Sequence, residues 1–178
     1  MSYDIYLKDP VTGKTAEVPG HLMHGGTYQA DYHPENGTFT PALNTEASLN
    51  ITYNYGHYYY EIYKEEGIRA IYGVSGFDSI LMLEKMIDFL NKKYKKKREW
   101  IRTKRQKTNY YDENGNEIDG IVTLVNKIEP VRKEEIEFEV NEGDTSDYWM
   151  DTAANAIRPL HQLIVLAKMR PDCIWDGD

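Results

Sequence analysis

Tyr3, Ile5 and Leu7 alternate with Asp4 and Tyr6, a period of two that predicts a half-buried strand at residues 3–7. Asp9-Pro10-Val11-Thr12-Gly13 is turn chemistry, and residues 15–18 are placed to pair back on that strand as an N-terminal β-hairpin. Over residues 19–48 no period holds. Pro19, Gly20, Gly25, Gly26, Pro34, Gly37 and Pro41 read there as one long loop, and a loop of that length is functional or an insertion. Helical spacing begins at residue 50 and runs to 66 through Tyr53, Tyr55, Tyr58, Tyr59, Tyr60 and Tyr63, with Gly67 as the stop. A second helix follows Ser75 or Asp78 as its cap, with Ile80, Leu83, Ile87, Leu90 and Tyr94 on one face. Met82, Met86 and Phe89 widen that face, so the helix is well buried. A third carries Ala153, Ala156, Ile157, Leu160, Ile164 and Ala167, with Pro159 inside the pattern as a kink or a first turn. Between these helices, residues 100–102, 110–111, 117–126 and the alternating 134–140 read as strands, with Asp112–Asn116 as a turn. The fold class is α+β: a helical core of about three helices, an N-terminal β-hairpin and an inserted β-rich arm.

Composition narrows the function classes. A length of 178 residues suits one core without disulfides. A single cysteine, Cys173, excludes an internal disulfide and a four-thiolate zinc site, and its acidic neighbours disfavour a thiolate nucleophile. No apolar run reaches the ~20 residues of a membrane span. Residues 1–4 lack a basic leader, which sets a cytoplasmic expectation.

Charge changes the picture most. The formal net charge is -8, yet residues 92–107 hold ten bases and one acid, a local +9. Lys92, Lys93, Lys95, Lys96, Lys97, Arg98, Arg102, Lys104, Arg105 and Lys107 interleave with Tyr94 and Trp100, cations for phosphates beside rings for stacking. These residues, Trp100 included, are the expected nucleic-acid-binding set. The run is also able to pair with the chain's own Glu-rich segment. Glu134, Glu135, Glu137 and Glu139, with Asp172, Asp176 and Asp178, form the acidic set expected to meet a basic partner surface. Of the tyrosines, Tyr58 and Tyr60 are assigned to that partner and the rest to the core. His21 and His24, with His33 in the same loop, fall short of a metal site by spacing alone. Neither Gly25-Gly26-Thr27 nor Gly73-Val74-Ser75-Gly76 has phosphate-loop spacing. No nucleophile, base and orienter share a motif, so no catalytic residue, cofactor or metal is assigned and a binding protein is expected.

Ser2-Tyr3-Asp4-Ile5-Tyr6-Leu7-Lys8-Asp9-Pro10, Gly25-Gly26-Thr27-Tyr28 and Leu49-Asn50-Ile51-Thr52-Tyr53-Asn54-Tyr55 carry a resemblance that continues at 67–73, at Asp147-Tyr148-Trp149, at 167–172 and at 175–178. Together these span about half of the chain. They resemble a family of small phage and prophage proteins. The resemblance implies a compact core, residues 1–91 plus 144–178, and an inserted basic-to-acidic arm, residues 92–143, with further extra residues at about 29–44. Within phage proteins the chain looks most like an anti-CRISPR acting on a Cas9-type nuclease. The implied partners are a CRISPR nuclease or other host defence protein, with guide RNA or DNA as a second contact and no membrane. The competing expectation is a nucleic-acid-binding accessory protein that works through the basic arm alone.

Overall fold

The N-terminal alternation produces β1 (Ser2–Lys8), which turns Tyr3, Ile5 and Leu7 into the core. This computed structural model describes residues 2–25, 30–118 and 129–178. The expected 117–126 strand therefore begins in described chain, and its 119–126 portion lies outside it, as does most of the Gly25–Tyr28 turn. Three antiparallel strands form the central sheet. β1 lies between β6 (Ser48–Thr52), where Ile5 faces Leu49, and β12 (Ile174–Gly177), where Leu7 faces Trp175. The expected hairpin turn closes, with Lys8 bridged to Thr15, but β2 (Glu17–His21) pairs instead with β5 (Asn44–Glu46). β3 (Ala30–His33) pairs with β4 (Thr38–Pro41), so the expected loop at 19–48 is two small ladders.

The tyrosine-rich helix is much shorter than its spacing implied. Leu49 and Ile51 alternate into the core as part of β6, so residues 50–52 are strand. A 3-10 turn over Tyr53–Tyr55 and α1 (Gly56–Tyr60) follow. A second 3-10 turn occupies Gly67–Ile71, and Gly67 is left-handed at φ 57°. α2 (Gly76–Tyr94) starts where Ser75 Oγ accepts from the Asp78 N–H at 3.0 Å. Its first N–H groups are met by the Cys173 and Pro171 carbonyls at 2.8 and 3.1 Å. Gly76 is required there, because a Cβ would stand 2.5 Å from the Arg170 carbonyl oxygen. α3 (Ala153–Met169) is capped by Thr152, whose hydroxyl accepts from the Asn155 N–H at 3.3 Å, and packs on α2. Pro159 is the seventh residue of this unbroken helix, not in its first turn.

Two compact units result, residues 1–101 with 142–178, and residues 102–141. Among the described residues the buried apolar set falls within the first, from Tyr3 to Trp175. In the second, β9 (Arg102–Tyr111) lies between β10 (Glu117–Ile118) and β11 (Arg132–Asn141). The expected arm boundaries at 92 and 143 therefore differ from the observed ones. Residues 92–101 complete α2 and build a small hairpin of the first unit, and Glu142 is buried in that unit too. The chain is α+β, and among the described residues no helix is long and apolar enough to cross a membrane.

Candidate functional site

The basic run is split into parts with different fates. Lys92 and Lys93 lie in the last turn of α2, where cations suit the outward carbonyl dipoles. β7 (Lys95–Lys96) then pairs with β8 (Glu99–Trp100) around a two-residue turn, Lys97-Arg98. Both turn residues are left-handed, at φ 52° and 73°. The root of this hairpin is fixed. The Tyr94 hydroxyl donates to Glu61 Oε1 at 2.8 Å, and the Ile101 N–H donates to the Tyr94 carbonyl at 2.9 Å. Trp100 packs so closely on Gly143 that a Cβ there would stand 2.2 Å from the indole.

Most of the ten cations are engaged. Lys93 pairs with Glu61 at 2.8 Å, and Lys95 Nζ sits 4.1 Å from the centre of the Trp100 ring. Trp100 was expected to stack on bases, but its ring is half-buried and covered by that lysine. Within the 102–141 unit, Arg102 meets Glu139 at 3.7 Å, Lys104 meets Glu137 at 2.7 Å and Lys107 meets Glu117 at 3.1 Å. Arg105 stands opposite Phe138 in the β9–β11 ladder. These cross-strand pairs turn the basic-to-acidic arm into an internally compensated ribbon of seven bases and nine acids. Lys92, Lys96, Lys97 and Arg98 are exposed, and none makes an ion pair or side-chain hydrogen bond among the described residues.

The acidic set is engaged as well. Glu134 accepts from the Tyr111 hydroxyl at 3.2 Å and lies 3.7 Å from Arg132, whereas Glu135 is exposed with no ion pair among the described residues. The acidic end, expected to meet a partner, has partners within the fold. Asp172 pairs with Arg170, Asp176 with Lys8, and Asp178 Oδ1 accepts from the Asp4 N–H at 2.9 Å. Tyr58 is a correction to the partner set: it is fully buried, and its hydroxyl donates to Glu142 Oε2 at 2.6 Å. Tyr60 is 37% exposed, so it does reach the surface.

The histidines stand apart from one another. His21 Nε2 lies 3.1 Å from the Glu46 carbonyl oxygen, His24 Nε2 3.2 Å from that of Ala42, and His33 Nε2 2.8 Å from the Thr40 hydroxyl. Among the described residues no group of three or more His, Cys, Asp or Glu converges as metal ligands would. Burial pushes the Cys173 thiol up. A cleft of about 280 Å³ is lined by Asp4, Tyr6, His24, Asn44, Glu46 and Asn50, and several of these polar groups already bond one another, as Asn50 does with Asp4.

Sequence reasoning missed two centres. Glu142 is fully buried at the N-terminus of α3, where Oε2 accepts from the Ala153 N–H at 2.9 Å as well as from Tyr58. Arg69 lies 4.9 Å from the Tyr3 ring centre and 5.9 Å from that of Tyr53, and its Nε donates to the Asp178 carbonyl at 2.9 Å. Beside it, burial pushes the Tyr72 hydroxyl up to about 12. Neither centre has a local motif, because each is assembled from distant segments. Comparison with protein-family models, curated proteins and solved structures finds no match to this chain.

Proposed function

We propose that the chain is a counter-defence binding protein of the anti-CRISPR kind, acting in the host cytoplasm. It engages a Cas9-type nuclease and blocks nucleic-acid binding or cleavage. The observation that carries this reading is the sign of the core: residues 1–91 and 142–178 hold 19 acids and eight bases. A surface of that sign competes for the positively charged channel in which such a nuclease holds its heteroduplex. Glu135 is available outright. Glu137 and Glu139 sit in exposed ion pairs, which are worth only about 0–1 kcal/mol, so a partner's arginines exchange readily with Lys104 and Arg102.

The alternative, an accessory protein holding nucleic acid through the arm, has less support. Arg102, Lys104 and Lys107 each face a glutamate, and the 102–141 unit is net acidic. The test is to mix the purified protein with the Cas9-type nuclease of its natural host, with and without guide RNA, at two salt concentrations. The expected result is a co-eluting complex, weakened by salt, together with loss of DNA cleavage. Unimpaired cleavage with no co-elution overturns the proposal, and if bare DNA is retained in that case the alternative takes its place.

A further inference from the structure

We propose that the Lys95–Trp100 hairpin is a binding site for the phosphodiester backbone of single-stranded nucleic acid, contacted by Lys92, Lys96, Lys97 and Arg98. The chain carries 29 acids, and the neighbouring cations of the same run have found counter-groups in the fold. These four have not, although Glu99 stands directly opposite Lys96 in the ladder. They project from a folded root fixed by the Tyr94–Glu61 and Ile101–Tyr94 hydrogen bonds and by Trp100 on Gly143. The cluster is thus held in place rather than strung along a fraying helix end, which lowers the ordering cost of binding.

The turn itself points the same way. A two-residue hairpin with both residues left-handed favours Asn-Gly, since a Cβ is disfavoured there. This chain places lysine and arginine at those positions. Backbone strain of this sort concentrates where side-chain chemistry is needed for function.

The ligand follows from what the hairpin has and lacks. It has point charges and a guanidinium, the groups that neutralise phosphates. Its one indole is folded back under Lys95, so no ring is presented for base stacking, and the strand is held by its backbone without regard to sequence. The same folding-back leaves the hairpin no exposed apolar side chain to insert into a bilayer, which favours a nucleic acid over an anionic membrane. This site does not depend on the nuclease reading above, because none of its residues belongs to the acidic surface.

The experiment uses the full chain and fluorescein-labelled single strands of about twenty nucleotides, RNA and DNA of one mixed sequence, read by anisotropy between about 50 and 200 mM salt. The decisive variant is Lys97→Asn with Arg98→Gly. It rebuilds the same turn from residues that prefer it, so the protein folds at least as well and lost binding is not lost structure. Affinity is expected to fall about tenfold at low salt, and the slope of log affinity against log salt to shrink by about 1.4, two single-strand contacts' worth. Lys104→Gln with Lys107→Gln, in the arm, is expected to change neither. Equal affinities for RNA and DNA support contact through the phosphates alone, and tighter RNA binding supports the site with RNA as its strand. An unchanged slope in the hairpin variant, an equal loss in the arm variant, or retention on anionic vesicles without oligonucleotide binding overturns the proposal.

Discussion

A carboxylate taken out of water is tolerated only when its oxygens are hydrogen-bonded, and Glu142 meets that condition through Tyr58 and the first N–H of α3. Its own main chain adds to the anchor: the Glu142 N–H donates to the Ile101 carbonyl at 3.0 Å, and its carbonyl accepts from the Ala154 N–H at 2.9 Å. Glu142→Ala strands the buried Ala153 N–H and leaves the Tyr58 hydroxyl only the Asp151 carbonyl at 3.2 Å, and is expected to destabilise by about 1–3 kcal/mol, measured by denaturant unfolding. Glu142→Gln keeps an oxygen for both and is expected to lose less than half as much. Equal losses would mean that packing, not hydrogen bonding, sets the cost. Asp9 gives a pH signature at the same scale. The Thr12 and Val11 N–H groups and the Arg170 guanidinium hold its carboxyl near 2, against an ordinary value of 3.8. A lowered carboxyl contributes stability above its unfolded value, and that contribution drains away as pH falls through the folded value. The turn after β1 should therefore loosen between about pH 4 and 2. Asp9→Asn is expected to flatten the acid limb of a stability profile across that window and to lower the plateau above it.

At the scale of elements, α3 shows how a rule-breaking residue is accommodated. Pro159 removes the donor that would bond the Asn155 carbonyl and crowds the turn before it. The Tyr59 hydroxyl donates to the next carbonyl, Ala156, at 2.8 Å, and burial pushes that hydroxyl up, so it stays a donor at any physiological pH. Tyr59→Phe is expected to cost about 0.5–1.5 kcal/mol, since it removes one buried hydrogen bond to the Ala156 carbonyl. The charged hairpin makes the opposite prediction. Lys97→Asn with Arg98→Gly is expected to raise stability by about 1 kcal/mol, most of it from the glycine, and the melting temperature with it. These elements also mark what was legible. The helices of residues 76–94 and 153–169 were readable because three- and four-residue spacing persists for several turns, and Ser75 was among the caps expected for the first. The tyrosine segment was misread because Leu49 and Ile51 obey a period of two just before tyrosines that fall at helical steps. The tail at 174–177 was not read as a strand, yet it is one, because burial of Trp175 against β1 is a long-range event that no local pattern encodes.

At the scale of the whole molecule, charge was legible in amount and misleading in layout. The run at 92–107 reads as one basic stripe, but the fold divides it: Arg102, Lys104 and Lys107 pair with Glu139, Glu137 and Glu117, while residues 92–101 end α2 and form a hairpin of the other unit. That the run is able to pair with the Glu-rich segment was legible in the sequence; the ladder adds the register, with Lys104 opposite Glu139 and diagonal to Glu137. The division makes the ribbon separable in principle. The Ile101 carbonyl and Glu142 N–H are hydrogen-bonded, so the chain leaves and re-enters the first unit at adjacent points, and a short Asn-Gly link can join them in place of residues 102–141. Among the described residues the buried apolar set lies in residues 1–101 and 142–178, so the shortened protein is expected to unfold cooperatively, within a few degrees of the parent by thermal melting. It should also keep the salt-dependent hold on single strands, since the four unpartnered cations remain. Glu135, Glu137 and Glu139 are gone, so nuclease inhibition should weaken by at least about tenfold if those glutamates carry protein contact. Full inhibition by the shortened protein would assign the partner contact to the acidic core alone, without the ribbon's glutamates. A collapsed melting transition would show instead that the ribbon is part of the folding unit.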